Sequence, residues 1–149
     1  MYHIHKFITV WVFILVIFHN ISSKYFSLSY LTFMVLLNGL YVSYINPSKY
    51  YIEYYHNNEK SIIIIDGFKK YMIDIFFHIL PFIYICIIYG LEPFFTNWKI
   101  IPSLLLILLY LLLYNPINVY RISINEITIL SISGVILYNS LNLIINKMI

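Results

Sequence analysis

Five stretches of this chain run almost without charge: Phe7–Phe18, Leu28–Ile45, Met72–Leu91, Ile100–Tyr114 and Ile127–Ile145. Crossing the hydrocarbon of a bilayer takes about 20 predominantly apolar residues, and a helix is the form in which such a segment satisfies its own backbone. The last four runs reach or approach that length with their flanks. Phe7–Phe18 is shorter; extended to Ile21 it reads as a first span, and the alternative is the core of a signal peptide. The residues that follow, HNISSKYF, offer no small-x-small cleavage site, which favours a retained helix. The expected fold is an all-α membrane protein, a bundle of about five (alternatively four) transmembrane helices. It is one integral membrane domain over 1–149, with spans near 7–21, 28–45, 72–91, 100–114 and 127–145 and a short interfacial segment in the second loop, 46–70.

Composition agrees. The chain is 62% hydrophobic and 10% charged, against about 45–50% and about 25% in soluble domains. It holds 31 Ile, 16 Tyr and 12 Asn but no Ala or Gln, a bias that points to an AT-rich coding sequence. Short motifs built from Ile, Asn, Tyr and Lys therefore arise by chance and carry less weight. A scattered net charge of +3 argues against a nucleic-acid partner. The partners implied are the lipid bilayer, with acidic headgroups facing the basic loops, and other membrane proteins or further copies of the chain. Cys86 stands alone, so there is no intrachain disulfide and no cysteine-based zinc site.

With five spans, one side of the membrane receives Lys6, Lys49, Lys60, Lys69, Lys70 and Arg121, and the other Lys24, Lys99 and Lys147. Six against three places the N-terminus and loop 46–70 in the cytosol. The Asn20-Ile21-Ser22 sequon then falls on the opposite face, too close to the membrane for glycosylation.

Two of the runs end in the same way, in YINPSKYY and LYNPINVY. A proline pushes the residue before it out of helical geometry, Asn is a good N-cap, and Pro suits the first helical position. Asn46-Pro47 and Asn115-Pro116 are thus expected to end one helix and start a surface segment, with Tyr51 and Tyr120 as interfacial anchors. Aligning the two sites also pairs Leu36 with Leu105, Leu37 with Leu106, Leu40 with Leu109 and Tyr41 with Tyr110, as a duplicated unit would. Within the loop, Tyr50, Tyr51, Tyr54 and Tyr55 recur at helical spacing, the pattern of a short helix lying among headgroups. Ile62–Ile65, before Asp66-Gly67, suits a short extended or re-entrant piece.

The segment KKYMIDIFFHILPFIYICIIYGLEP carries the chemistry. Asp74 and His78 are one helical turn apart, and at 100° per residue Lys70, Pro81, Tyr89 and Glu92 fall on or near their face. Ionisable groups inside a membrane are costly and point into the bundle. Asp74–His78 reads either as a protonatable pair on an ion path or as a hydrogen bond that fixes helix packing. Ser131, Gly134, Tyr138 and Asn142 form a small and polar stripe on the last span, expected to pack against the third. SLLLILLYLLLY has no polar face and is expected to meet lipid.

No metal or other cofactor is expected. Glu53 and His56 have the spacing of a di-iron ligand pair, but only once, and His19 and His78, the two candidates for haem ligation, sit at different depths. Serine-hydrolase, nucleotide-phosphate and dinucleotide motifs are absent from the sequence, which is read as non-enzymatic.

NPSKYY followed by DIFFHILP resembles the small, mostly uncharacterised multi-span membrane proteins of large nucleocytoplasmic DNA viruses. The resemblance covers Tyr44 to Pro81 and implies a virion inner membrane or a host endomembrane, with no activity attached. The expected function is that of a structural or scaffolding component of such an assembly; the alternative is a small proton- or ion-coupled transporter or channel component using Asp74 and His78.

Overall fold

The computed structural model describes residues 7–45, 47, 51–56, 59–114, 119 and 121–148, with 52–56, 59, 60 and 148 described by backbone alone. They are mostly helical: α1 (Ile8–Ile17), α2 (His19–Ser22), α3 (Leu28–Ile45), α4 (Gly67–Tyr89), α5 (Ile100–Leu113) and α6 (Ile124–Met148). Among the described residues, α3, α4 and α6 are long and apolar enough to cross a membrane, while α1 and α5 are shorter apolar helices.

α3 is the axis. Its first eight residues, Leu28 to Val35, are all buried, and it contacts α1, α4, α5 and α6. Direction alternates around it. Ser29 near the start of α3 meets Tyr138 late in α6, and Tyr41 near its end meets Glu126 early in α6. Ser43 likewise meets Asp74 on the early part of α4. α1 runs with α4, pairing Phe13 with Phe77 and His19 with Tyr84 and Tyr89. One end of the bundle therefore carries the connections 46–66 and 114–123, the other carries 18–27 and 90–99.

The ends of the helices have local causes. α6 begins at Ile124 rather than near Ile127 because Ser123 and Glu126 form a capping box. The Glu126 N–H donates to Ser123 Oγ (3.2 Å), and the Ser123 N–H donates to Glu126 Oε2 (2.6 Å). α4 stops at Tyr89, where Gly90 takes a left-handed φ of 71°. α3 ends at Ile45, the residue before Asn46.

Loop 46–70 differs from the expected interfacial helix. Tyr51–His56 and Glu59–Ile64 form β1 and β2, an antiparallel pair in register from Tyr51↔Ile64 to His56↔Glu59. The reason is propensity: aromatic and β-branched residues recur in both segments. The extended form expected around Ile62–Ile65 is found in β2. Tyr51 takes the Arg121 guanidinium over its ring at 3.3 Å. Asn46, Tyr50, Asn115, Pro116 and Tyr120 lie outside the described residues, as do the side chains of Tyr54 and Tyr55; exposed Pro47 is described.

The last helix also chooses a different partner. Gly134 lies against Met34 and Leu37 of α3, and Tyr138 is held by α3 and the 90–99 connection, so the polar stripe of α6 faces the second span rather than the third. Tyr138 donates to the Glu92 carbonyl (2.8 Å), which leaves the Ser29 hydroxyl to donate to Tyr138 Oη (2.6 Å) and to accept from the Glu92 N–H (3.2 Å). Asn142 adds a bond to the Leu91 carbonyl (2.6 Å), while Ser131 of the same expected stripe is exposed. α5 is not uniformly outward: Leu104, Leu105, Leu108 and Leu112 are exposed, but Ser103 and Tyr110 are buried. Ser103 Oγ accepts the Ser27 N–H.

Between helices in lipid, apolar contact supplies little driving force, so such bonds carry weight. Tyr138→Phe is expected to lower the unfolding free energy by about 1–2 kcal/mol, measured by denaturation in mixed micelles. An unchanged midpoint would show that the Ser29–Tyr138–Glu92 ring contributes nothing.

Candidate functional site

Asp74 and His78 are buried, at 2% and 5% exposure, where α4 crosses α3. Both helices are wound as π turns here, over Tyr41–Ile45 in α3 and Asp74–Ile79 in α4. Each π turn ends two residues before a proline, Pro47 and Pro81. Proline has no N–H to continue the regular i→i−4 ladder, and a widened turn is one way to absorb that loss.

The cluster is assembled across the crossing. Ser43 donates to Asp74 Oδ2 (2.6 Å), and His78 Nδ1 lies 3.1 Å from Asp74 Oδ1. With Asp74 ionised, both bonds run toward its carboxylate and Nδ1 of His78 is the donor. Gly39 makes room one turn earlier in α3: a Cβ there would stand 2.5 Å from the His78 ring. α3 thus presents a small-x-x-x-small pair, Gly39 and Ser43, to the i,i+4 pair Asp74 and His78 on α4.

Of the remaining members of the expected stripe, Pro81 stays on the buried face with Asp74 and His78, while Tyr89 and Glu92 separate. Tyr89 is exposed and bonds His19 Nδ1 (2.8 Å), whose Nε2 is taken by Tyr84 (2.9 Å). Glu92 lies beyond the Gly90 break and pairs with Lys99 (3.0 Å), and the Lys70 ammonium sits over the Tyr44 ring (3.9 Å). Counting at 100° per residue failed for two reasons: the π turn takes an extra residue and rotates everything after it, and the helix stops at Gly90.

The bond pattern constrains the chemistry. Ser43 gives its proton to Asp74 and makes no bond to His78, so the cluster lacks the hydroxyl-to-imidazole contact that activates a nucleophile. Among the described residues no three His, Cys, Asp or Glu side chains converge on a metal position. With both nitrogens engaged by tyrosines, His19 has no lone pair turned toward a haem. A cavity of about 70 Å³ opens between α1, α3, α5 and α6, lined by Val12, Met34, Asn38, Tyr110 and Ile127 among others; Asp74 and His78 do not line it. What the arrangement does directly is hold α4 on α3 through one buried bond, Ser43 to Asp74, with His78 holding the carboxyl from the next turn of α4.

Gly39 and Ser43 were absent from the sequence-derived site, and their four-residue spacing on a neighbouring span is the signal that points to them. No protein-family model, curated protein or solved structure matches the chain.

Gly39→Ala is expected to cost about 1–3 kcal/mol, because the new methyl meets a stiff ring fixed by Asp74. Gly134→Ala, whose nearest neighbour is the flexible end of Met34, is expected to cost less. Unfolding of the two variants side by side checks the order; equal cost would remove the special fit at Gly39.

Proposed function

We propose that this chain is a five-span integral membrane protein that serves as a non-enzymatic, structural or scaffolding component of a viral or endomembrane assembly. The observation that carries the reading is reversed polarity. Ile87, Leu112, Ile101 and Ile129 are 64–78% exposed, while Asp74, His78, Ser43, Ser103 and Asn142 are buried. In water that arrangement is unstable; in hydrocarbon it is the stable one. Every polar bond of the Asp74 cluster described above joins one helix to another or one helical turn to the next, as a packing role requires. α1 with α2, and α5 with its flanks, complete the five crossings. The count of Lys and Arg places the β1–β2 end in the cytosol and the 90–99 connection across the membrane, and the resemblance over Tyr44–Pro81 supplies the viral or endomembrane setting.

The test is topology. In a Cys86→Ser background, cysteines placed at Ser61 and Phe95 are expected to react with an impermeant maleimide from opposite faces of the membrane, Ser61 from the cytosolic face. Labelling of both from one face, or release of the protein by alkaline carbonate, would sink the five-span reading.

A second reading, proton-coupled transport, is favoured by one observation: the buried Asp74–His78 pair sits on π turns, which recur at functional sites. The structural reading predicts that purified protein in vesicles moves protons no faster than empty vesicles, with Asp74→Asn indistinguishable from the parent. Flux that disappears in Asp74→Asn while insertion persists would replace the first reading with the second.

A further inference from the structure

The apolar helices differ in height. α5 is 14 residues long and α1 is 10, about 21 Å and about 15 Å at a rise of about 1.5 Å per residue. Between Lys70 and Gly90 in α4, and between Glu126 and Asn146 in α6, the stretch free of exposed charge is about 28 Å, close to the ~30 Å of bilayer hydrocarbon. The short helices gain no length from their flanks. Tyr114 closes α5 in extended geometry (φ −130°, ψ 114°). At the other end Trp98 and Lys99 form a turn, with the Lys99 N–H bonded to Asn97 Oδ1 (3.1 Å) and the Lys99 ammonium to Glu92 (3.0 Å). α1 passes at Phe18 (φ −95°, ψ 31°) into α2, whose residues His19, Asn20 and Ser22 are polar. The two short helices also share a side. Trp11 of α1 stands edge-on to Tyr110 and Tyr114 of α5, at 5.9 Å each, and Leu106 and Ile107 pack on the cluster that holds Val12 and Val16. On the outside of that side, Ile14, Ile17, Leu105, Leu108 and Leu112 are each 49–76% exposed.

Resting on the five-span reading given above, we propose that α1 and α5 form a short side of the bundle that takes short-chain phospholipid and thins the bilayer beside it to about 21 Å, while α4 and α6 match a bilayer of ordinary thickness. Tilting a helix only lowers its height further, so tilt does not make up the shortfall. A second copy laid on α5 would cover the leucines without lengthening the helix. In hydrocarbon of full thickness the Glu92–Lys99 pair at one end of α5, or the Tyr114 hydroxyl at the other, would be drawn below the headgroups, and burying such groups in hydrocarbon is costly. A thinned bilayer leaves both ends at its surface. Mismatch of this kind sorts proteins among membranes by thickness, so the partner that this side fits is a thin membrane.

The test compares the two sides within one molecule. Full-length protein with both tryptophans replaced, Trp11→Phe and Trp98→Phe, carries a single reporter at an exposed position, Leu105→Trp on α5 or Ile136→Trp on α6. It is reconstituted in vesicles of dioleoylphosphatidylcholine brominated at its double bonds and diluted equally with dimyristoleoyl- or dierucoyl-phosphatidylcholine. Quenching of the reporter reads which lipid stands beside it. For Leu105→Trp the short-chain diluent is expected to relieve quenching about two-fold more than the long-chain one; for Ile136→Trp the two are expected to act alike. Equal discrimination at the two positions, or preference for the long chain at Leu105→Trp, overturns the proposal. So does a Leu105→Trp reporter untouched by bromine while Ile136→Trp is quenched, the result of a side covered by a second copy or held out of the bilayer. The unsubstituted protein, whose tryptophans lie in α1 and just before α5, answers the short-side arm if the replaced forms do not fold. The two failures are distinct: no quenching at either position removes the membrane reading together with the proposal, whereas failure at Leu105→Trp alone leaves α6 inserted.

Discussion

The Asp74 carboxylate is the constraint around which the helix crossing is organised. A carboxyl held at 2% exposure in apolar surroundings is costly unless its oxygens are hydrogen-bonded. Ser43 and His78 supply two donors from two different helices or turns, and the demand propagates from there. His78 needs space on α3, which Gly39 provides; both helices of the crossing are wound as π turns where Ser43, Asp74 and His78 lie. Pro47 and Pro81 lie two residues beyond each π turn.

The opposite end of the bundle is fixed by a different device. There, among the described residues, no carboxylate is deeply buried; the ring of Ser29, Tyr138 and the Glu92 backbone ties α3, α6 and the 90–99 connection together, while the Glu92–Lys99 pair stays partly exposed. His19, gripped by Tyr84 and Tyr89, ties the turn after α1 to α4. α3 takes part at both ends, which is why it is the most buried of the long helices. On the proposed membrane reading, where apolar contact gives helices little reason to prefer one another, these few polar bonds decide which helices are neighbours.

The apolar runs made the helical fold legible, because hydropathy and length are one-dimensional properties. Asp74 and His78 were legible as an i,i+4 pair for the same reason. What failed was anything that depended on a partner or on uninterrupted winding. Tyr89 and Glu92 were read onto the Asp74 face by a regular rotation that the π turn and Gly90 interrupt. The tyrosines of 50–55 were read as a helical face although the same residues are good strand formers, and pairing with Ile62–Ile64 settles the choice. The α6 stripe was recognised but assigned to the third span, because a small and polar face fits any polar neighbour and only the fold shows that Ser29 and Met34 lie opposite. Ser123-Ile124-Asn125-Glu126 was a readable capping box that would have moved the start of α6 to its observed position.

The coupling between Ser43 and Asp74 across the α3–α4 crossing is the energetic quantity on which the crossing turns. A double-mutant cycle with Ser43→Ala and Asp74→Asn, read as unfolding free energy in lipid, measures it without assumptions about activity. If the carboxylate organises the crossing, the coupling is about 1 kcal/mol or more, of the size seen for buried charge-assisted bonds. Strict additivity of the two substitutions would contradict that claim and leave the crossing held by apolar contact alone.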